Sequence, residues 1–127
     1  MARVLIVDDS SLSRAMVAKA LKDAGYEVVE AVDGQAGIAA FDSQPFDCVV
    51  TDLLMPVLDG QQLLTHVREV NPRIPVVVLT ADIQASTREM CAELAVNAFV
   101  NKPVKAKVVQ ACVAKALLQA QGAPAWI

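Results

Sequence analysis

The chain has 127 residues, of which 55% are hydrophobic and 20% are charged, and its formal net charge is −3. The high apolar fraction excludes an intrinsically disordered chain, and the length suits one globular domain. The acidic balance argues against binding to nucleic acid through charge alone. No run of about 18 residues is free of charges, so no membrane span is predicted, and no secretory signal is recognised at the N-terminus.

The three cysteines, Cys48, Cys91 and Cys112, show neither paired nor metal-ligand spacing. Cys48 falls in a strand-like run and Cys112 in a helix-like run, so we expect buried free thiols. Free thiols suit a reducing compartment, and we therefore expect a soluble, cytoplasmic protein.

Short apolar runs alternate with longer stretches of helical periodicity along the chain. The predicted elements, in chain order, are a strand over 3–7, a helix over 12–24, a strand over 26–31, a helix over 34–41, a strand over 47–51, a helix over 61–70, a strand over 74–79, a helix over 84–93, a strand over 98–101 and a helix over 105–120. Ser10 offers an N-cap oxygen to the first helix, and Gly25 suits its C-terminal end. Such strict alternation predicts an α/β fold, a five-stranded parallel sheet with helices on both faces.

Ligands of such sheets bind at the carboxyl ends of the strands, so the residues that follow each strand are the candidate site. Polar side chains follow four of the five predicted strands: Asp8, Asp9, Asp52, Thr80 and Lys102. An aspartate in such a position is often only a helix cap or turn residue, and we assign that role to Asp33 and Asp59. The convergence of the other residues on one sheet edge favours a chemical role.

Three neighbouring carboxylates require a proton or a cation, because two of them about 4 Å apart repel by roughly 4 kcal/mol at an effective dielectric of 20. A hard divalent ion with oxygen ligands, such as Mg²⁺, meets that need. Three carboxylates, one divalent ion and the Lys102 ammonium sum to zero charge. A site of this kind can accept a phosphoryl group, with Asp52 as nucleophile and with Thr80 and Lys102 contacting the phosphoryl oxygens.

Several motifs match a known family: VLIVDDS at 4–10 with Arg14, AGYEV at 24–28, VVTDLLMP at 49–56, VVVLTA at 76–81 and FVNKP at 99–103, together with the Asp-Gly pairs at 33–34 and 59–60. The sequence resembles the receiver domain of two-component response regulators, most closely the stand-alone, chemotaxis-type kind. The resemblance covers residues 2 to about 120. It implies a flavodoxin-like (βα)5 receiver fold with strand order 2-1-3-4-5, a receiver domain over 1–121 and a short flexible tail over 122–127.

The resemblance also implies a role for each site residue. Asp52 matches the phosphoacceptor, Lys102 the lysine that contacts the phosphate, and Thr80 the switch hydroxyl. The implied Mg²⁺ ligands are Asp9, Asp52, the backbone carbonyl of Leu54 and, through water, Asp8; Mn²⁺ is an alternative ion. Phe99 matches the aromatic switch residue, and the Lys102–Pro103 peptide bond is expected to be cis.

The implied activity is that of a phosphoacceptor switch, which catalyses only its own phosphorylation and dephosphorylation. The implied partners are a sensor histidine kinase or phosphotransfer protein and a downstream protein that binds the face of helix 4, strand 5 and helix 5. No direct contact with nucleic acid or membrane is expected, and the chain is expected to be a monomer or a weak dimer.

The sequence departs from the family pattern at a few positions. Ala95 stands where a glycine usually ends the fourth helix, so we expect that turn to be strained or differently shaped. Val104 replaces a common aromatic residue, and Leu54 and Asp82 flank the phosphate position.

Four alternatives to a stand-alone receiver domain are open to this sequence. Two lie within the family: a receiver domain cut from a longer regulator, and a phosphate-independent pseudo-receiver, which usually lacks part of the acidic set. A haloacid-dehalogenase-type phosphatase needs two aspartates separated by one residue after a single strand, whereas Asp8 and Asp9 are adjacent and Asp52 follows another strand. A flavin-binding carrier is disfavoured because Asp8 and Asp9 would repel its phosphate.

Overall fold

The computed structural model describes residues 1–53, 60–81 and 85–120, with only the backbone described for 85–87. Five strands alternate with five helices in this part of the chain, as predicted. In order, they are β1 (Arg3–Val7), α1 (Ser11–Asp23), β2 (Glu27–Ala31), α2 (Gly34–Ser43), β3 (Cys48–Asp52), α3 (Gly60–Val70), β4 (Val76–Thr80), α4 (Ala85–Glu93), β5 (Ala98–Asn101) and α5 (Ala106–Ala120).

The strands form one parallel sheet in the order β2-β1-β3-β4-β5, as the resemblance implied. All five residues of β3 and of β4 are buried, which explains their nearly continuous apolar sequences. β2 lies on one side of β1, and the chain then crosses back so that β3 lies on the other side of β1. The carboxyl ends of β1 and β3 therefore flank the switch point of the sheet, where α/β proteins bind ligands.

The third and fourth strands end one residue later than predicted. Asp52 and Thr80 are polar, but their backbones remain in the sheet, with Asp52 in register with Leu79 and Thr80 with Asn101. Both side chains are therefore carried by the rigid ends of buried strands instead of by the loops that follow.

Side chains alternate between two hydrophobic layers, one on each face of the sheet. On one face, α1 and α5 cover β-strand residues that include Val4, Ile6 and Val50. On the other face, residues of α2, α3 and α4 pack against Leu5, Val7 and further alternate strand residues. The predicted arrangement of helices on both faces is confirmed.

The ends of the helices follow the sequence signals. The Ser10 hydroxyl accepts a hydrogen bond from the Ser13 amide and caps α1, and Asp33 caps α2 by accepting one from the Ala36 amide at 2.8 Å. Asp59, Leu54, Asp82 and the predicted tail over 122–127 lie outside the described residues. No helix in the described ranges is both long enough and apolar enough to cross a bilayer.

The cysteines are free, as predicted, but they differ in burial. Cys48 and Cys91 are buried, and burial raises the pKa of the Cys48 thiol to about 12, so that thiol stays protonated at neutral pH. Cys112 is half-buried, so the prediction of three buried thiols was wrong for this residue. The helical periodicity of α5 places Cys112 beside the buried stripe and not inside it.

The turn after α4 shows the expected effect of the missing glycine. Ala95 adopts a left-handed backbone with φ of 55°, a conformation that costs a residue with a Cβ about 1–2 kcal/mol. The Arg68 guanidinium of α3 donates to the carbonyls of Leu94 at 2.6 Å and Ala95 at 3.0 Å, and it also donates to the Ile74 carbonyl at 2.6 Å. Arg68 therefore ties the end of α4 to α3 and to the chain entering β4.

Candidate functional site

Three carboxylates meet at the carboxyl edge of the sheet. Asp8 and Asp9 follow β1, Asp52 ends β3, and one carboxylate oxygen of each lies within 4.8 Å of the others. Asp8 is completely buried, Asp52 is 7% exposed and Asp9 is exposed. The structure thus brings together the three acids that the sequence predicted to converge.

Lys102 follows β5, and its side chain reaches this cluster. Its ammonium donates to Asp52 Oδ2 at 2.7 Å and lies 3.1 Å from Asp8 Oδ2. Burial alone lowers the pKa of Lys102, but hydrogen bonds and charge interactions with Asp52 and Asp8 outweigh it, so the net shift is upward. Lys102 is therefore charged at neutral pH, and its peptide bond to Pro103 is cis, as expected.

The beginning of α3 is pressed against the backbone of Asp52. A Cβ on Gly60 would lie 2.5 Å from the Asp52 carbonyl oxygen and 2.6 Å from Leu53 Cα. The Gly60 amide donates to the Leu53 carbonyl at 3.0 Å, and the Thr51 hydroxyl donates to the Asp52 carbonyl at 2.9 Å. These contacts fix the backbone position from which the Asp52 side chain extends. Glycine at position 60 allows α3 to approach the end of β3 this closely.

Several contacts hold Asp8 in place. The Ser10 amide donates to Asp8 Oδ1 at 2.9 Å, and the Asp8 amide donates to the Ala31 carbonyl of β2 at 3.2 Å. The Arg14 guanidinium donates to the Asp8 carbonyl at 2.7 Å and lies 3.3 Å from a carboxylate oxygen of Glu30. In the sequence Arg14 is only part of a matched motif, because its contact with Asp8 depends on the packing of α1 over the end of β1.

The two residues predicted to act as a switch lie on neighbouring strands. Thr80 ends β4 and is buried, and its carbonyl accepts a hydrogen bond from the Lys102 amide at 3.0 Å. Phe99, on β5, is half-buried and packs against the core layer of α2, α3 and α4. Phe99 also lines a surface recess of about 260 Å³ together with Pro103, Lys105 and other residues of β5 and α5.

The donor set of this edge fits a hard divalent cation. Asp8 Oδ2 is buried, and its partner among the described residues is the Lys102 ammonium at 3.1 Å, so a carboxylate lone pair remains available to an ion. Three carboxylates against the Lys102 ammonium leave two negative charges, which a divalent ion would neutralise. Oxygen ligands in a partly solvated cluster are the kind that Mg²⁺ prefers. The Leu54 carbonyl, predicted as a further ligand, lies outside the described residues.

Comparison with known proteins decides the family. Residues 4–114 match the model of the response regulator receiver domain. The chain belongs to the receiver domain family. Members of this family bind Mg²⁺ at an acidic pocket and act as phosphoacceptor switches, and the function of this receiver domain accordingly lies in two-component signal transduction.

Relatives of the receiver domain occur in two kinds of signalling protein. This chain is 36% identical over 123 residues to the transcriptional regulatory protein PrrA of Mycobacterium tuberculosis. The matched region covers 97% of this chain and 52% of PrrA. This chain is also 35% identical over 107 residues to the sensor protein EvgS of Escherichia coli K12. The matched region covers 84% of this chain and 9% of EvgS. The chain thus spans about half, or much less, of these curated relatives.

Solved structures share the fold of the receiver domain. The chemotaxis protein CheY4 of Vibrio cholerae is 30% identical and superimposes with a TM-score of 0.87, covering 91% of this chain and 98% of that one. A CheY-like receiver domain protein from Methanospirillum hungatei reaches a TM-score of 0.91 at 22% identity, over 96% of this chain and 98% of that one. The five-stranded α/β receiver fold is confirmed.

Proposed function

We propose that this receiver domain accepts a phosphoryl group on Asp52 from a phosphohistidine, in a reaction that requires Mg²⁺ or Mn²⁺. The observation that carries the proposal is the position of Asp52, which ends a buried strand inside a carboxylate cluster and receives a 2.7 Å hydrogen bond from Lys102. A carboxylate so placed can form an acyl phosphate beside a positive charge that stabilises it.

Burial distinguishes Asp52 from its two neighbours. Asp8 is completely buried and its Oδ1 accepts from the Ser10 amide, so an incoming phosphorus atom cannot approach it in line. Asp9 is exposed, and the described ion pairs of Lys102 go to Asp8 and Asp52 instead. Asp52 combines residual solvent access with direct contact to the lysine, and this combination favours it as the phosphoacceptor.

In the proposed step, a carboxylate oxygen of Asp52 attacks phosphorus and forms an O–P bond as the donor's N–P bond breaks. The imidazole nitrogen keeps the electron pair, and the ring leaves neutral when its other nitrogen carries a proton. The Lys102 ammonium and the Thr80 hydroxyl are proposed to contact phosphoryl oxygens. A divalent ion held by Asp9, Asp52, the predicted Leu54 carbonyl and, through water, Asp8 would neutralise charge on those oxygens.

The output of the switch is proposed to leave by protein contact. Thr80 would move towards the phosphoryl group, and Phe99 would repack into the space it leaves, which changes the face of α4, β5 and α5. The surface recess lined by Phe99 and Lys105 on this face supports the proposal. We propose a sensor histidine kinase or phosphotransfer protein as donor and a downstream protein as target, with no direct role for nucleic acid or membrane.

We further propose a cytoplasmic receiver domain over 1–121, followed by a tail over 122–127, that acts as a monomer or weak dimer. One observation favours a second candidate, the same switch working inside a longer regulator. It is the partial coverage of PrrA and EvgS, which both contain residues beyond the region they share with this chain.

Intact-mass spectrometry after incubation with acetyl phosphate and Mg²⁺ tests the proposal. Wild type should gain one phosphoryl group, about 80 Da, and should gain none when EDTA replaces Mg²⁺. Asp52→Asn should gain none under either condition, because the amide is nearly isosteric but is not a nucleophile. Asp23→Asn, which changes an exposed aspartate of α1, is the matched control and should behave as wild type. A gain of the same size in Asp52→Asn would overturn the assignment.

A further inference from the structure

Arg14 connects β2, α1 and the acidic cluster through one guanidinium. Nη1 donates to the Asp8 carbonyl at 2.7 Å, and Nε lies 3.3 Å from Glu30 Oε1. The Arg14 side chain is only 16% exposed, whereas that of Glu30 is 39% exposed. A charge-assisted hydrogen bond of this length is stronger than one between neutral groups.

We propose that Arg14, held by Glu30, is a positioning residue that fixes the Asp8–Asp9 turn and thereby sets the affinity of the acidic cluster for its divalent cation. This inference rests on the proposed function of the cluster as a cation site. Arg14 itself contacts neither Asp9 nor Asp52 in the described contacts, and it would act through the backbone of Asp8.

The backbone of Asp8 determines where two of the three carboxylates lie. The buried carboxylate of Asp8 extends from this residue, and the Asp9 side chain belongs to the next one along the chain. The Asp8 amide is already bound to the Ala31 carbonyl, so the Arg14 bond to the carbonyl oxygen secures the other end of the residue. Without it, the described contacts that hold Asp8 would be the hydrogen bond from its amide to Ala31, the Ser10 amide and Lys102.

Because Arg14 is charged, an electrostatic role and a positioning role predict opposite changes in cation affinity when its side chain is removed. A guanidinium beside the cluster repels a cation, so electrostatics alone predicts that removing it tightens cation binding. Positioning predicts the opposite, because a displaced Asp8 and Asp9 hold the ion less well. Removal of residues that orient metal ligands typically costs about 10- to 100-fold in metal affinity.

The experiment measures Mg²⁺ binding to the full chain by isothermal titration calorimetry, with no phosphoryl donor present. Arg14→Ala should weaken binding by about tenfold or more. Arg14→Lys keeps the charge but cannot bridge the Asp8 carbonyl and Glu30 in the same way, and it should fall between Arg14→Ala and wild type. Lys19→Ala removes the same charge from an exposed position on α1 and should stay within about twofold of wild type, as expected of a distant surface charge.

The outcomes separate the two proposals. If wild type binds Mg²⁺ and both Arg14 variants bind equally or more tightly, the positioning role is wrong and the cation site stands. If wild type does not bind Mg²⁺, both proposals fail. Should Arg14→Ala not fold, as judged by circular dichroism, Arg14→Lys decides alone, because its retained charge gives electrostatics no reason to change the affinity. Amide exchange at Ser10, whose N–H binds Asp8 Oδ1, should also quicken in the weakened variant.

Discussion

Replacing Lys102 with alanine removes the ammonium group that lies against two buried carboxylates. In wild type its Nζ lies 2.7 Å from Asp52 Oδ2 and 3.1 Å from Asp8 Oδ2. Without it, the carboxylate oxygens of the cluster, all within 4.8 Å of one another, keep their mutual repulsion. At 4.8 Å and an effective dielectric of 20, each pair of charges repels by roughly 3.5 kcal/mol.

The expected loss of stability follows from these contacts. Removing one partner of a buried ion pair costs about 3–5 kcal/mol, and Lys102 is 20% exposed, which favours the lower end of that range. We therefore expect the free energy of unfolding of Lys102→Ala to fall by about 3 kcal/mol in EDTA. Saturating Mg²⁺ should restore much of this loss, because an ion bound to the native cluster neutralises the same carboxylates and stabilises by mass action.

Urea unfolding followed by circular dichroism, in EDTA and in Mg²⁺, measures both effects. Lys105→Ala removes an exposed lysine three residues later and is the matched control, with an expected change within about 0.5 kcal/mol in either buffer. A loss in Lys102→Ala that is equally large in both buffers would refute the reasoning. It would mean that Lys102 supports the fold by packing and not as the countercharge of Asp8 and Asp52.

Three other predictions concern the same site and its supports. Gly60→Ala forces the Asp52 backbone to shift, so the rate of phosphorylation by acetyl phosphate should fall by about tenfold or more with the helical content unchanged; an unchanged rate would contradict the tight fit. Arg68→Ala leaves carbonyls around Ala95 without their charged donor, and urea unfolding should show a loss of about 2–3 kcal/mol; a loss below about 0.5 kcal/mol would show that water replaces the guanidinium. The pKa of Lys102 is raised in the native state, so the stabilisation that its charge provides is fully present below the ordinary lysine pKa of 10.5. Stability should therefore fall as the pH rises above that value, and it should fall less in Lys102→Ala.

Much of the fold could be predicted because its physical signals are local. Runs such as Val76 to Leu79 are rich in β-branched residues and too short for helices, and they alternate with segments of helical periodicity. The ends of β3 and β4 were misplaced by one residue because Asp52 and Thr80 are polar, whereas their backbones still pair in the sheet. Polarity of a side chain does not reveal whether its backbone leaves the sheet.

The candidate site was predictable to the extent that it follows from topology. Parallel strands bring their carboxyl ends to one edge, so Asp8, Asp52 and Lys102 could be expected to meet although they are far apart in sequence. The contacts of Arg14 and Gly60 could not be expected in the same way. Each depends on how closely a helix approaches a strand end, which is decided by packing across the whole domain.

The most direct test of the central claim is to map the phosphoryl group itself. Wild type is treated with acetyl phosphate and Mg²⁺, the acyl phosphate is reduced with borohydride, and the digested peptides are sequenced by mass spectrometry. The account predicts homoserine at position 52 and unmodified aspartate at positions 8 and 9. Homoserine at position 8 or 9, with Asp52 intact, would contradict it.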